Sequence, residues 1–476
     1  MLPPFDPWYA SQVCADILVA SQAGEDSLAV RRSRRLSALL ASAADGSPRY
    51  RRLLKGSDPG TVKLEELPIV RKAELMDRFG DWVCDPAVSL DVLRRFTTDP
   101  AQIAAPFLGR YVVWESSGTS GEPAIFVQDA RAMAVYDALE ALRRPVLRPL
   151  RHFFDPLGIG DRIAFVGATG GHFASTVSVE RLRKLNPAAQ SRLSGISFLQ
   201  PIQALTAALE AHQPSVIATY PSAAVILSEE RRAGRLQVAP SEIWTGGENL
   251  TTAMREFIEQ AFECPVANSY GASEFLAIAS ECNAGRMHVN SDWVILESVD
   301  AHGCAVPAGI LGSTTLLTNL ANHVQPLIRY DLGDRIVLSG DRCPCNSALP
   351  VIEVHGRDDD TLWLGTRAIP IVPLALSTVL EDEAGLFDFR LEQRSSRTLL
   401  LTTGMAGVDA DRLLDRARES LGQFLAQQGV GGMKIRCKSG APRPCGRSGK
   451  SRRIVGSPRT SGLPHSSVAR TLAQGR

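Results

Sequence analysis

Six consecutive residues, Ser116, Ser117, Gly118, Thr119, Ser120 and Gly121, offer hydroxyl and backbone N–H donors in a run closed by Glu122 and Pro123. Glycine lets backbone N–H groups approach an anion closely, and Ser and Thr hydroxyls rotate to add donors, so the run can cradle phosphates. The apolar residues before it, Tyr111, Val112, Val113 and Trp114, have the length and β-branched content of a buried strand. A plain polar turn after a strand is the ordinary alternative, since Ser and Gly are common in turns.

Two acidic segments could complete such a site. Ser269, Tyr270, Gly271, Ala272, Ser273 and Glu274 follow an apolar stretch at 264–268, which places them at a strand end, where α/β sheets bind ligands. A carboxylate there, Glu274, suits Mg²⁺, which takes hard oxygen ligands shared with phosphate. A solvated loop glutamate is the alternative. Farther on, Asp331 and Asp334 flank Gly333 in a turn between strands. An ionised carboxylate can accept hydrogen bonds from two vicinal ribose hydroxyls. Asp and Gly also favour turns for conformational reasons alone.

Near the C-terminus, Gly446, Arg447, Ser448, Gly449, Lys450 and Ser451 imitate a P-loop but fail its spacing, with Pro444 where the first glycine belongs. Lys450 stands out because the chain carries only seven Lys against 45 Arg. A compact ammonium suits contact with a single oxygen. Cys282, His288, Cys343 and Cys345 offer three thiols and an imidazole, a closed Cys₃His set for structural Zn²⁺, although the spacing is not that of a standard finger. Four unrelated residues are the alternative, since free Cys is often buried as a small hydrophobe.

The elements that would position these groups alternate. After helical segments in residues 1–55, strands are expected at 162–167, 215–220 and 242–245, with helices at 130–144, 202–211 and 251–262. That alternation argues for an α/β fold with parallel sheet. From Trp293 onward closely spaced strands suggest a small β-barrel or antiparallel sheet. A charged junction at 355–360 precedes a smaller α+β pattern, with strands near 387–393 and 398–402 and a helix at 409–427. The expected organisation is a large domain over 1–355, a hinge at 356–360, a small α+β domain over 361–457 and a disordered tail over 458–476.

A chain of 476 residues exceeds what one core usually serves. The net charge of +1 hides a basic end: residues 431–476 hold eleven Lys/Arg and no Asp/Glu. A nucleic-acid partner for that end is the weaker reading, and a solvated charge run the plainer one. No apolar run approaches the roughly 18 residues of a membrane span, and the N-terminus lacks the pattern of a secretory signal. Nine scattered Cys make no disulfide scaffold, so a cytoplasmic location is the default expectation.

Taken singly these motifs are weak, but their order is specific. SSGTSGEP, GGENLT at 246–251, SYGASE at 269–274, RYDLGD at 329–334, HGRDDD at 355–360 and GRSGKSRR at 446–453 resemble the ordered motifs of adenylate-forming (AMP-binding) ligases. The phenylacetate–CoA ligase branch is the nearest match, through SPRYRRLL and LPIV near the N-terminus, Tyr220-Pro221-Ser222 and the Cys/His set. The resemblance implies an enzyme that joins a carboxylic acid, here an aromatic one, to ATP and passes the acyl group to CoA. It implies that residues 116–121 hold the β- and γ-phosphates, and that Gly247 and Tyr270 line the adenine site, with Gly271 and Ser273 beside them. It further implies Glu274 on Mg²⁺, Asp334 on the ribose, Arg357 on the nucleotide, Asp359 at the hinge and Lys450 on the carboxylate and α-phosphate during adenylation. Cys282, His288, Cys343 and Cys345 match the branch's zinc set. The rivals are a carrier-protein thiol or an amine as acceptor, or a catalytically silent nucleotide-binding relative. A homodimer is left open, and neither a membrane nor a nucleic acid is the expected partner. The sequence departs from relatives at Glu122-Pro123-Ala124, where Lys or Thr often stands beside the Pro, and at Gly365, one residue early on the loop after the hinge.

Overall fold

A computed structural model of the chain describes residues 2–116, 123–155, 158, 160–248, 250, 252–355, 362–366, 369–371, 375–376, 379–386, 389–440 and 454–456. The helical start resolves into Pro7–Ser21, Glu25–Gly46 and Pro48–Leu53. Asp6 and Ser47 cap the first and third of these, each accepting from a backbone N–H three residues on.

Strands β1 (Val112–Glu115) and β2 (Ile125–Gln128) form an antiparallel two-stranded hairpin whose connection carries the Ser/Gly run. Strands β3 (Ile163–Gly167), β4 (Leu193–Ser197), β5 (Val216–Thr219), β6 (Glu242–Thr245) and β7 (Val266–Ala272) are parallel and lie in the order β7-β6-β5-β3-β4. Helices Ala174–Leu185, Ile202–His212, Pro221–Arg232 and Thr252–Phe262 connect them. Buried β-branched and apolar residues such as Val166, Ile217 and Ile243 fit strands covered on both faces.

At β7 the sheet changes direction. Strands β8 (Phe275–Glu281) and β9 (Met287–Val289) continue it antiparallel. Strands β10 (Val294–Val299), β11 (Thr314–Asn319) and β12 (Tyr330–Asp331) form a separate three-stranded antiparallel sheet. Strands β13 (Ile336–Leu338) and β14 (Val351–Val354) join the large sheet through β9, giving nine strands in all. The strands expected to build one small barrel are thus divided between two sheets, because β9, which the sequence reading did not anticipate, captures β14. Strand β4 was likewise not anticipated. Its Ser and Gly content at 194, 195 and 197 hides the apolar pattern.

Beyond the junction, β15 (Leu362–Leu364) pairs β16 (Ile369–Ile371), and β17 (Arg390–Ser395), β18 (Thr398–Thr402), β19 (Lys434–Lys438) and β20 (Ile454–Val455) form a four-stranded sheet. Helix Val408–Gln427 packs on this sheet through Leu414, Ala417, Leu421, Phe424 and Leu425. One core joins the N-terminal helices, β1–β2 and the antiparallel end of the large sheet, while a second joins its parallel end to the C-terminal segment. Among the described residues, no helix is long and apolar enough to cross a membrane.

Candidate nucleotide site and thiol–imidazole cluster

The hairpin β1–β2 is anchored at its neck. Ser116 donates its N–H to the Ala124 carbonyl at 2.8 Å, and its hydroxyl oxygen accepts from the Ala124 N–H at 2.9 Å. That bond leaves the hydroxyl proton of Ser116 available to a phosphate oxygen. Ser117, Gly118, Thr119, Ser120 and Gly121 lie outside the described residues. Trp114, fully buried, donates its indole N–H to the Ser273 carbonyl at 2.8 Å, tying the hairpin to the second motif.

That motif is a hairpin turn rather than the strand cap expected from sequence. Tyr270 and Gly271 lie within β7, and Ser273 and Glu274 form the turn into β8. The register shifts between Tyr270 and Ala272, and a Cβ on Gly271 would sit 1.9 Å from the Leu276 carbonyl oxygen, so only glycine fits. The turn therefore folds back on its own partner strand.

Tyr270 donates its phenolic O–H to Asp334 Oδ2 at 2.8 Å, joining two motifs 64 residues apart. Asp331, by contrast, serves the turn: it accepts from Thr314 Oγ1 at 2.6 Å and from the Gly333 N–H at 3.0 Å. Of the two carboxylates, Asp334 is the one turned toward Tyr270. Gly247 follows β6 with φ +78°, and a Cβ there would approach the Tyr220 ring at 3.0 Å. Burial pushes the Tyr220 hydroxyl up to about 12, so the ring stays neutral beneath that turn. A Cβ on the preceding Gly246 would meet Ser269 Oγ at 2.9 Å, which fixes the two segments side by side. Gly247, Tyr270 and the Ser273–Glu274 turn thus gather where β6 and β7 end, on the carboxyl side of the parallel strands.

His172 is buried at 2% exposure after β3, with Nε2–H donated to the Asp99 carbonyl at 3.0 Å. Its own carbonyl accepts from the Glu115 N–H at 2.7 Å, so it anchors the root of the first hairpin. Burial holds its imidazole below the ordinary range and therefore neutral.

Sequence reasoning missed the groups that fix these segments. Arg329 adopts φ +50°, unusual for a side-chain-bearing residue. Its guanidinium meets Glu297 and donates to the carbonyls of Glu65 at 3.0 Å, Leu67 at 2.7 Å and Gly303 at 3.2 Å. It sets the register of the strand leading to Asp334. Asn319 donates through Nδ2 to the Glu274 carbonyl and to the Tyr136 hydroxyl, each at 2.9 Å. An Asn within the apolar run 314–320 was the available signal.

A second constellation lies at the far end of β8. Cys282 follows that strand, His288 sits in β9, and Cys343 and Cys345 lie between β13 and β14. Their ligand atoms all fall within 4.8 Å of one another. Cys282 Sγ is 3.6 Å from Cys343 Sγ, and Cys345 Sγ is 3.3 Å from His288 Nε2. A tetrahedral ion with thiolate bonds near 2.3 Å separates neighbouring sulfurs by roughly 3.8 Å, so the set fits Zn²⁺. His288 donates Nδ1–H to the Leu349 carbonyl at 2.8 Å, which leaves Nε2 facing the thiols. Burial holds its imidazole below the ordinary range, in the neutral form a metal needs. Burial opposes ionisation of Cys343, but hydrogen bonds from Cys345 and Cys282 outweigh it and bring that thiol below its usual range. Cys345 is pushed up to about 11, first by burial. The seven residues of β8 span roughly 24 Å, which separates the cluster from Glu274.

Arg357, Asp359 and Lys450 lie outside the described residues. Gly365 adopts φ +75° and donates its N–H to the Ser396 carbonyl at 2.6 Å.

This architecture has known counterparts. It superposes on a 2-hydroxyisobutyryl-CoA ligase, solved with 2-HIB-AMP and CoA in the thioesterification state, with a TM-score of 0.56 over 92% of this chain and 91% of that one, at 21% identity. The post-adenylation form of that ligase gives 0.51 over 90% and 89%, at 22% identity. The fold is that of this 2-hydroxyisobutyryl-CoA ligase. In sequence the chain is similar to phenylacetate–coenzyme A ligase of Thermus thermophilus, to which it is 26% identical over 374 residues, 75% of each chain. It is also 30% identical to protein CapK of Staphylococcus aureus over 148 residues, 30% of this chain and 31% of that one. The chain matches no protein-family model.

Proposed function

We propose that the chain is an ATP-dependent, AMP-forming acid–CoA ligase. It activates a carboxylic acid as an acyl-adenylate and transfers the acyl group to the thiol of CoA. The observation that carries this reading is the Tyr270–Asp334 hydrogen bond. It brings an aromatic surface for adenine and a carboxylate for ribose together beside the hairpin that bears the Ser/Gly run. The ligase names of its sequence relative and of its structural counterparts support the same reading.

In this reading residues 116–121 cradle the β- and γ-phosphates, Gly247, Gly271 and Ser273 shape the nucleotide's bed, and Glu274 shares Mg²⁺ with the phosphates. A carboxylate and a triphosphate repel one another, so their approach needs Mg²⁺, aligned donors and a cationic side chain. Lys450 supplies that cation and Arg357 contacts the nucleotide. The acid is ionised at pH 7 and attacks without a general base. A small domain over 361–457 turns about Asp359 in the hinge 356–360, withdrawing Lys450 so that the thiol can enter. Cys282, His288, Cys343 and Cys345 hold a structural Zn²⁺, which contributes fold stability and no step of the reaction.

The substrate is an aromatic acid of phenylacetate type in this proposal, an inference from the sequence relative. The displaced Gly365, on the loop expected to shape the thiol channel, favours testing a carrier-protein thiol or an amine as the acceptor alongside CoA. Pyrophosphate release across aryl, arylacetic and short aliphatic hydroxy acids, each with and without CoA, tests both points. Turnover with arylacetic acids and CoA is expected. Turnover confined to aliphatic acids would overturn the aromatic assignment, and acyl-adenylate formation with no thioester would overturn CoA as acceptor.

A further inference from the structure

The outer edge of β2 has no strand partner among the described residues, yet it is buried. Unpaired backbone groups in such a place are costly, so something must satisfy them. Two amide side chains from one short loop do so. Gln325 Oε1 accepts from the Val127 N–H at 2.6 Å, and its Nε2 donates to the Ile125 carbonyl at 3.2 Å. Asn322 Nδ2 donates to the Val127 carbonyl at 2.9 Å. Together they imitate the edge of a neighbouring strand.

The loop that carries them is itself made rigid by buried side-chain amides. Asn322 Oδ1 accepts from the N–H groups of Val324 and Gln325, at 2.9 and 3.1 Å. Asn319 Oδ1 accepts from those of Ala321 and Asn322, also at 2.9 and 3.1 Å. Asn319 then reaches the other half of the site through its bond to the Glu274 carbonyl. Exposure of Asn319, Asn322 and Gln325 is 0%, 1% and 0%. The N-terminal helical region holds the loop from behind: Tyr50 and Trp82 donate to the Pro326 carbonyl at 3.2 and 2.8 Å, and the Cys84 N–H donates to the Val324 carbonyl at 2.9 Å.

We infer that Asn319, Asn322 and Gln325 are positioning residues for the nucleotide: they set strands β1 and β2, and with them Ser116, at a fixed distance from the turn bearing Glu274. The inference rests on the ligase reading of that site. Phosphate donors and a metal-binding carboxylate act together only when their spacing is held within a fraction of an ångström. A fully satisfied buried amide chain supplies that rigidity, because each bond has one geometry and no competing water.

The test compares Gln325→Met, which removes both of its side-chain bonds to β2 at nearly constant volume, with Ser298→Ala. Ser298 is also buried and donates to the Ile336 carbonyl at 3.0 Å. Mg·ATP affinity by calorimetry, the acid's KM in pyrophosphate exchange, and deuterium exchange at Val127 are measured on both full-length proteins. Gln325→Met should weaken Mg·ATP binding about tenfold and speed exchange at Val127 about tenfold, with the acid's KM within about twofold of wild type. Ser298→Ala should leave all three unchanged. Should Gln325→Met not fold, Gln325→Asn, whose amide stops one methylene short of β2, is read the same way. Mg·ATP affinity within about twofold of wild type, or an equal loss in Ser298→Ala, would overturn the inference. Wild-type protein that binds no Mg·ATP would instead overturn the nucleotide reading itself.

Discussion

Two hairpins meet at the candidate nucleotide site, and they are held by different kinds of bond. In β7–β8, backbone ladders hold strand β7 along its length, parallel to β6 over Val266–Asn268 and antiparallel to β8 over Ser269–Ala272. Glu281 closes the far end, bonded to Arg255 and to the Asn268 N–H. In β1–β2, the ladder among the described residues joins these two strands only, and side-chain amides cover the outer edge of β2. Backbone ladders tolerate most side-chain changes, whereas amide caps depend on residue identity. The laddered part of β7–β8 should therefore resist mutation around it, while β1–β2 and Ser116 should be sensitive to distant substitutions.

The largest effect is expected at Gly271, where β7–β8 depends on residue identity. Gly271→Ala puts a methyl 1.9 Å from the Leu276 oxygen. It should destabilise the protein by about 3 kcal/mol and abolish measurable Mg·ATP binding, as read by thermal melting and calorimetry. Next comes the metal. Chelation should strip the thiol–imidazole cluster, lower the melting temperature and speed deuterium exchange in β8, β9 and β14, while β1–β2 exchanges as before. Less than half an equivalent of Zn²⁺ in freshly purified protein would remove the premise.

Tyr270→Phe deletes the bond to Asp334 while keeping the ring, and should raise the KM for ATP about tenfold with little change in melting temperature. Trp114→Phe deletes the direct tie between the hairpins and should raise the same constant about threefold. The smallest effect concerns pH. Burial depresses the pKa of folded His172, so below the unfolded value near 6.5 only the unfolded chain takes up the proton, and the wild type loses stability. The melting difference between wild type and His172→Gln should shrink between pH 7.5 and 5.5. A constant difference would show that His172 does not titrate differently on folding.

Much of this was legible in the sequence. The strands at 163–167, 216–219 and 242–245 and the helix at 202–212 follow from apolar runs bounded by turn residues. The four residues of the thiol–imidazole cluster stand out by residue type, and the fold brings them into one group. Strand β8 was hidden because its short apolar run, FLAIASE, follows the SYGAS segment without a recognised turn. Pairing of β14 with β9 could not be read, because sheet order is a long-range property that local periodicity does not encode. The amides of Asn322 and Gln325 look in sequence like loop polarity. Only their burial shows that they substitute for a strand.

Activation of a carboxylic acid by ATP is read out by acid-dependent ATP–pyrophosphate exchange. Wild-type protein should exchange only when a carboxylic acid is present, and Lys450→Ala should lower that rate by about a hundredfold or more. Exchange that is absent with every acid, or equally fast in Lys450→Ala, would contradict the account.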